Sequence, residues 1–422
     1  MRELQTANVR STTSRGAVLS ACTIAFALAM LIPHSASAQT YSVIHEFTGW
    51  LGGANPDAGV VMDRAGNLYG TTLSGGLVTC GDVPQLPDWC GTVFELTAGG
   101  QFRILYRFAN STDGANPEGE LLIAPNGVLY GTTMSGGLGR YGTIFSLAPP
   151  ATPPRDIQEA QWTKKIVYGF AGNNDGAIPN GPLVPDHAGN LYGTTNAGGS
   201  GGNYGTVFEL IPADGRWNES ILHRFEYSDG DGPDDGVTFD AAGNLYGTTQ
   251  GGGRFGSGVV YQLLAASGWQ DNTLNDFQQG GSSPESGVTF DPAGNLFAAT
   301  FGGGSGGAGT VFELSNGSWT PQTIYNFSGG KQWGPSFSKL ILDPAGNFYG
   351  TTNGDGAYGA GSVFKLTLSD GGWTYTSLHD FTGGSDGGYP VGTLLLDANG
   401  NLYGTTSGGG QNSNGVVFKI TP

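Results

Sequence analysis

A chain of 422 residues with 38% hydrophobic and 11% aromatic side chains has enough apolar surface to build a core, so its 77 glycines read as tight turns between short strands and not as a disordered linker. Lys and Arg number 17 against 34 Asp and Glu, a net charge of −17, and this excludes nucleic acid as a partner because phosphate binding needs basic patches. Length alone suggests two or three domains, but internal repeats override that count.

The chain opens with Arg2, Arg10 and Arg15, then an apolar stretch from Ala17 to Ile32, then the small-residue site Ala36-Ser37-Ala38. This is the pattern of a signal peptide over 1–38, cleaved after Ala38. The apolar run is too short and wrongly flanked for a membrane span. Cys22 follows Leu19-Ser20-Ala21 as in bacterial lipoproteins, yet most of the apolar run comes after it, which disfavours lipid attachment. The expected location is periplasmic or extracellular. Beyond the leader lie two cysteines, Cys80 and Cys90. In an oxidising compartment they are expected to form a local disulfide. A metal site is the weaker alternative, because no His lies between them.

From Gly66 onward one phrase recurs: Gly66-Asn67-Leu68-Tyr69-Gly70-Thr71-Thr72. It returns from Gly127, Gly189, Gly243, Gly346 and Gly400, with a decayed copy at Gly294 (Asn295-Leu296-Phe297-Ala298-Ala299-Thr300), giving seven copies 51 to 62 residues apart. Each unit reads as four strands. A short apolar run such as Val60-Val61-Met62 comes first, apolar at successive positions and therefore buried on both faces. An Asp-to-Gly turn such as Asp343-Pro344-Ala345-Gly346 follows, where Asp can accept from amides ahead of it and Gly tolerates positive φ. The Leu-Tyr-Gly-Thr-Thr strand, a Gly-rich loop, a strand such as Gly91-Thr92-Val93-Phe94-Glu95-Leu96, and a strand such as Ile104 to Phe108 complete the unit.

The ends interlock. The seventh unit stops after its third strand, Val416 to Ile420, while Ser42-Val43-Ile44-His45-Glu46-Phe47 is an orphan fourth strand resembling Ser220 to Phe225. Pairing the two closes a ring and leaves no open sheet edge. The predicted fold is all-β: a seven-bladed β-propeller over 39–422, closed by the N-terminal strand. The Leu-Tyr-Gly-Thr-Thr cores and the Gly-Thr-Val-Phe-Glu-Leu strands at 91–96, 205–210 and 309–314 resemble the GloVer tandem-repeat family of bacterial "choice-of-anchor" exported proteins. That resemblance implies an exported, surface-associated repeat protein and brings no catalytic residues with it.

Repeat position tests each candidate for chemistry. His45, His223 and His379 share one position, where other units carry Tyr106, Tyr168, Asn275 and Tyr325. A catalytic histidine would be unique, so these read as packing or capping residues of the outer strand, and His187 as a solvated turn residue. No catalytic residue is assigned. A Pro precedes each inner strand, at Pro56, Pro117, Pro179, Pro233, Pro284, Pro335 and Pro390, followed by Asp57, Glu118, Asn180, Asp234, Glu285, Ser336 and Val391. If the first strand is innermost, five of these form a polar crescent at the channel mouth, with Asp113, Asp175, Asp229 and Asp386 on the same face. Such a crescent suits Ca²⁺ or a cationic or hydroxylated ligand; the plainer alternative is a set of solvated turns capped by Asp. No other cofactor is expected.

The loops after the second strands share that face and vary: Arg140-Tyr141, Tyr204, Arg254-Phe255 and Tyr358, with Trp50, Trp333 and Tyr389 in neighbouring connections. Aromatic residues on variable loops over a rigid scaffold suit recognition. The expected function is a non-catalytic, secreted or cell-surface monomer that binds a glycan or an extracellular protein through this face. The alternative is a secreted carbohydrate-active hydrolase or lyase with its acidic site at the mouth. Glu118, Glu120 and Lys339 are the residues to test for that activity.

Overall fold

Each repeat encodes one antiparallel sheet, and the reason is visible in its turn. Asp63 Oδ1 accepts from the backbone N–H groups of Ala65 and Asn67, both at 2.9 Å. Its Oδ2 accepts from Asn67 Nδ2 at 2.9 Å and the Tyr69 hydroxyl at 3.1 Å. The spacing Asp-x-x-Gly-Asn-x-Tyr is therefore a hydrogen-bonded cage that folds the first hairpin. The same Asp-to-Asn cage recurs at Asp186, Asp240, Asp291, Asp343 and Asp397. In the second unit, where Ala124 replaces Asp, Asn126 Oδ1 takes the Val128 N–H instead.

The computed structural model describes residues 39–76, 90–109, 112–151, 162–199, 201–278, 281–328 and 338–422. Blade 1 runs Val61–Met62, Leu68–Thr72, Thr92–Leu96 and Phe102–Arg107 from the channel outward. Blades 2 to 6 repeat that order. Blade 7 is Leu395–Leu396, Leu402–Thr406, Val416–Thr421 and then Thr40–Glu46. The terminal strands pair antiparallel from Thr40↔Thr421 to Glu46↔Val416, so the expected closure is present. The innermost strands are only two residues long, shorter than the apolar runs suggest. Residues just before them, such as Val60 at 0% exposure, are fully buried without entering the ladder.

Two repeated features hold blade to blade. The Phe closing each fourth strand meets the third-strand aromatic of the next blade edge-on. The pairs are Phe47–Phe94, Phe108–Phe145, Phe170–Phe208, Phe225–Tyr261, Phe277–Phe312, Phe327–Phe364 and Phe381–Phe418, with centroids 5.0 to 5.5 Å apart. Each pair adds about 1 kcal/mol beyond its buried area. The Gly of Leu-Tyr-Gly-Thr-Thr makes room for that ring: a Cβ on Gly70 would lie 2.6 Å from Phe94 Cζ. The second feature is the contact of Pro with Gly. Pro56, Pro117, Pro179, Pro233, Pro284 and Pro390 each lie against the Gly that opens the preceding blade's third strand, and a Cβ on Gly91 (φ +83°) would meet Pro117 Cδ at 2.5 Å. Buried Thr pairs such as Thr72–Thr92 and Thr195–Thr206, both 2.8 Å between hydroxyls, satisfy the second Thr of the phrase.

The histidines take the structural places expected of them. His45 stacks on Phe102 of blade 1 at 3.7 Å, and His379 stacks on Tyr41 of blade 7 at 3.7 Å. His223 and His379 also reach Asp229 and Asp386 at 3.3 and 3.2 Å. His187 is exposed in its turn.

Candidate functional site

Isolated bridges tie connectors to the loop after the second strand, as at Ala54↔Ser74, Ala115↔Ser135, Ala177↔Ala197 and Gly388↔Gly408. Connector N–H groups also donate across to the preceding blade's loop, with Ile178 to Tyr141 at 2.9 Å and Gly232 to Tyr204 at 3.1 Å. The connectors and the variable loops therefore form one face of the ring, as the strand order requires.

At its centre, the structure gathers the crescent. Asp57, Glu118, Asn180, Asp234 and Glu285 all line a cavity of about 390 Å³, together with Glu120, Asp235, Asn196, Gln250, Thr393 and the apolar Met134, Ile178 and Pro182. No Lys or Arg is among the described lining residues. Asp234 Oδ1 accepts from Asn180 Nδ2 at 3.1 Å and from the Asn196 amide. Glu118 Oε2, Asn180 Oδ1 and Glu285 Oε2 are buried atoms with no hydrogen-bond partner. Glu285 is only 9% exposed.

Removing carboxylates from water without donors favours their protonated forms. Burial, then the neighbouring Glu118, pushes Asp57 up to about 7. Burial, then Asp234, pushes Glu118 up to about 7 and Glu285 up to about 8. Asp234 rises less, to about 6, because the Asn180 and Asn196 amides oppose the effect of burial. Below the rim, Glu120 is pushed up to about 8 by burial and Asp235, against the pull of Lys339. Burial lowers Lys339 while Asp235 and Glu120 hold its charge, and its Nζ donates to Thr238 Oγ1 at 2.9 Å.

Asp235, Asn196, Gln250 and Thr393 were not apparent as channel residues. Asp235 follows a crescent position, and the other three lie after a Thr-Thr pair or beside an inner strand, so repeat alignment carries a signal for them.

The four aspartates expected on the same face do not line the cavity. Asp113 caps Ala109 N–H at 2.9 Å and takes the Tyr106 hydroxyl at 2.9 Å and Lys164 Nζ at 2.7 Å. Asp175, Asp229 and Asp386 cap Ala171, Glu226 and Thr382 and reach Tyr168, His223 and His379. They fasten the outer strands because a connector starts at the ring's rim and reaches the channel only at its end.

The loop residues spread over the face. Trp50, Tyr141, Phe255, Tyr358 and Tyr389 are exposed, and the Arg254 guanidinium lies over the Phe255 ring at 5.4 Å. Arg140 stands at φ 65° in its turn. Tyr204 and Arg254 line a shallow groove with Tyr227 and Glu226, and Tyr227 is a residue that sequence periodicity did not single out. Trp333, Pro335, Ser336 and Cys80 lie outside the described residues; Cys90 is fully buried. Among the described residues, His223, Asp229 and Asp271 bring ligating atoms within 4.8 Å of one another; His223 and Asp271 sit on the outer strands of blades 3 and 4 and Asp229 in the connector between those blades. The mouth carboxylates stand wider apart than that. No described helix is long and apolar enough to cross a membrane.

A family model described as the Gloeobacter/Verrucomicrobia repeat matches residues 30–151, 86–289 and 264–422. No curated protein matches the chain. Among solved structures, PorZ, an essential bacterial surface component of the type-IX secretion system of Porphyromonas gingivalis, is similar at 14% identity and TM-score 0.50. That match covers 88% of this chain and 47% of that one. A gluconolactonase of Xanthomonas campestris matches at 12% identity and TM-score 0.40, over 91% and 90% of the two chains. A chain of a nidogen/laminin complex matches at 15% identity and TM-score 0.41, over 69% and 90%. At these identities the likeness is one of fold.

Proposed function

The chain belongs to the Gloeobacter/Verrucomicrobia repeat family, and from that premise we propose that it is an exported, non-catalytic propeller that binds a glycan or an extracellular protein through the face bearing the channel mouth. The observation that carries this reading is the cavity itself: four carboxylates and an amide from five blades converge on it, and three of their buried oxygens have no partner in the chain. Unsatisfied buried acceptors are costly for folding alone, and concave sites with a few convergent polar groups are where ligands bind. The leader over 1–38 and a Cys80–Cys90 disulfide belong to the same proposal. N-terminal sequencing of the exported protein should begin at Gln39. Alkylation with and without reductant should show two thiols only after reduction.

Electrophoresis of the protein through gels cast with different polysaccharides tests the function. Retardation without loss of polymer supports binding and identifies the ligand class. A cleared track makes the protein a carbohydrate-active enzyme. Free migration in every gel, together with no extracellular protein captured, overturns the proposal.

A further inference from the structure

The open valences at the mouth are all of one kind. Glu118 Oε2, Asn180 Oδ1 and Glu285 Oε2 are acceptors, buried and unpartnered, and Glu285 is more than nine-tenths buried. A ligand that completes them has to donate hydrogen bonds. It also has to bring positive charge, because Asp57, Glu118, Asp234 and Glu285 face one cavity with no described basic residue in its lining. Lys339 is not in that lining: its Nζ donates to Thr238 Oγ1, and Asp235 and Glu120 favour its charge against burial.

A bare metal ion fits this arrangement poorly. The mouth carboxylates are not among the described groups whose ligating atoms lie within 4.8 Å of one another. The cavity of about 390 Å³ is of the size that takes a small organic molecule. A primary ammonium, with three N–H donors pointing in different directions, can meet acceptors on several blades at once. Asn196, Gln250 and Thr393 in the same lining both donate and accept, which complements ring hydroxyls; the aliphatic stem of a lysine offers them nothing to bond. Exposed Tyr141, Phe255 and Tyr389 on the same face offer flat apolar surfaces to the neighbouring rings of a longer chain.

We propose that the channel mouth binds the ammonium group of an amino sugar within a glycan, held by Glu118, Glu285 and the Asn180 carbonyl oxygen. This rests on the ligand-binding reading of the face given above. Asp57 and Asp234 complete the negative rim, and Glu120, Asp235 and Lys339 stand behind it. Without ligand, Glu118 and Glu285 hold their protons to about 7 and about 8. An ammonium takes over the role of those protons. Because a sugar amine also titrates near neutral pH, a proton leaving Glu118 or Glu285 passes to the amine. Binding therefore weakens both below about pH 6, where the carboxyls keep their protons, and above about pH 8, where the amine is neutral.

Isothermal titration of the full chain at pH 7.5 with a β-1,4-linked glucosamine hexamer tests this, against its N-acetylated counterpart, a neutral glucose hexamer and a lysine-rich peptide. The expected result is binding of the amine hexamer at least tenfold tighter than either sugar control. The double variant E118Q/E285Q should weaken that binding at least tenfold while its melting temperature at pH 7.5 does not fall. Each single variant should lie in between. Equal binding of the amine and acetylated hexamers overturns the ammonium assignment and leaves glycan binding by this face standing. Binding of the peptide alone overturns the sugar assignment in favour of a protein partner. No binding of any probe overturns the proposal, and the polysaccharide gels then decide separately whether the broader reading survives.

Discussion

The two ends of the same ring treat carboxylates in opposite ways. In the first hairpins, Asp63, Asp240, Asp343 and Asp397 are partly buried, and burial by itself would raise them. The Asn amides, the backbone N–H groups and the Tyr hydroxyls around them prevail and hold each carboxyl below its ordinary range. At the channel mouth, Asp57, Glu118 and Glu285 are buried with too few donors, so burial prevails and they rise to about 7 or 8. The number of donors within reach therefore decides whether an acid in this protein serves folding or is left for a ligand. Asp234 stands between the cases, with two amide donors and a value of about 6.

Breaking the satisfied set should cost most. D343A removes the acceptor for Ala345 N–H, Asn347 N–H, Asn347 Nδ2 and the Tyr349 hydroxyl. By the usual worth of hydrogen bonds to a charged group it should destabilise blade 6 by about 2–3 kcal/mol, read as a lower urea midpoint. E285Q keeps the shape and replaces a carboxyl one of whose oxygens has no partner. Urea unfolding at pH 7 should place it within about 0.5 kcal/mol of the parent, and a loss as large as that of D343A would show that Glu285 is structural.

Acidity separates the two sets in sign. The hairpin acids have lowered values, so their stabilisation is present above the ordinary carboxylate range and is lost as pH falls through their folded values. The mouth acids have raised values: the folded state holds protons that the unfolded chain has released. Their contribution is greatest at low pH and disappears as pH climbs toward 8. Thermal melts should therefore peak near pH 5 and then decline, by on the order of 2 kcal/mol between pH 5 and pH 9. E118Q/E285Q should flatten the decline and leave the acid limb unchanged. A parent profile that is flat from pH 5 to pH 9 would contradict the mouth assignments.

The smallest expected effect concerns Ca²⁺. The mouth carboxylates would have to draw inward to chelate it, so millimolar Ca²⁺ against a chelator should move the melting temperature by less than about 2 °C, the shift for roughly half a kcal/mol in a large domain. A shift of several degrees, lost in E118Q/E285Q, would make the mouth a calcium site.

Much of the architecture was legible because its determinants are local and repeated seven times. Asp, Gly, Asn and Tyr at fixed spacing build the hairpin from neighbours within six residues. The orphan strand from Thr40 pairs with the strand ending at Thr421 for the same reason that every other fourth strand pairs with its third. The crescent was legible too, since one Pro marks its place in each repeat. Less visible were contacts between repeats. Trp162, Trp217, Trp269, Trp319 and Trp373 each pack on a second-strand aromatic of the preceding blade, as Trp217 does on Tyr130 at 6.1 Å, yet nothing local to those tryptophans announces a partner 73 to 93 residues earlier.

The sequence by itself thus determined the number of blades, the strand order and the ring closure, all set by short-range hydrogen bonding and a repeated pattern of polar and apolar residues. Tertiary structure alone decided the chemistry of the acids. Asp113 and Glu118 lie five residues apart in one connector, but the ring carries Asp113 to the rim, where Tyr106 and Lys164 meet it, and leaves Glu118 at the channel with an oxygen unpaired. Burial and donor count arise only when seven sheets enclose a common axis, and those two quantities set the charge of each carboxyl.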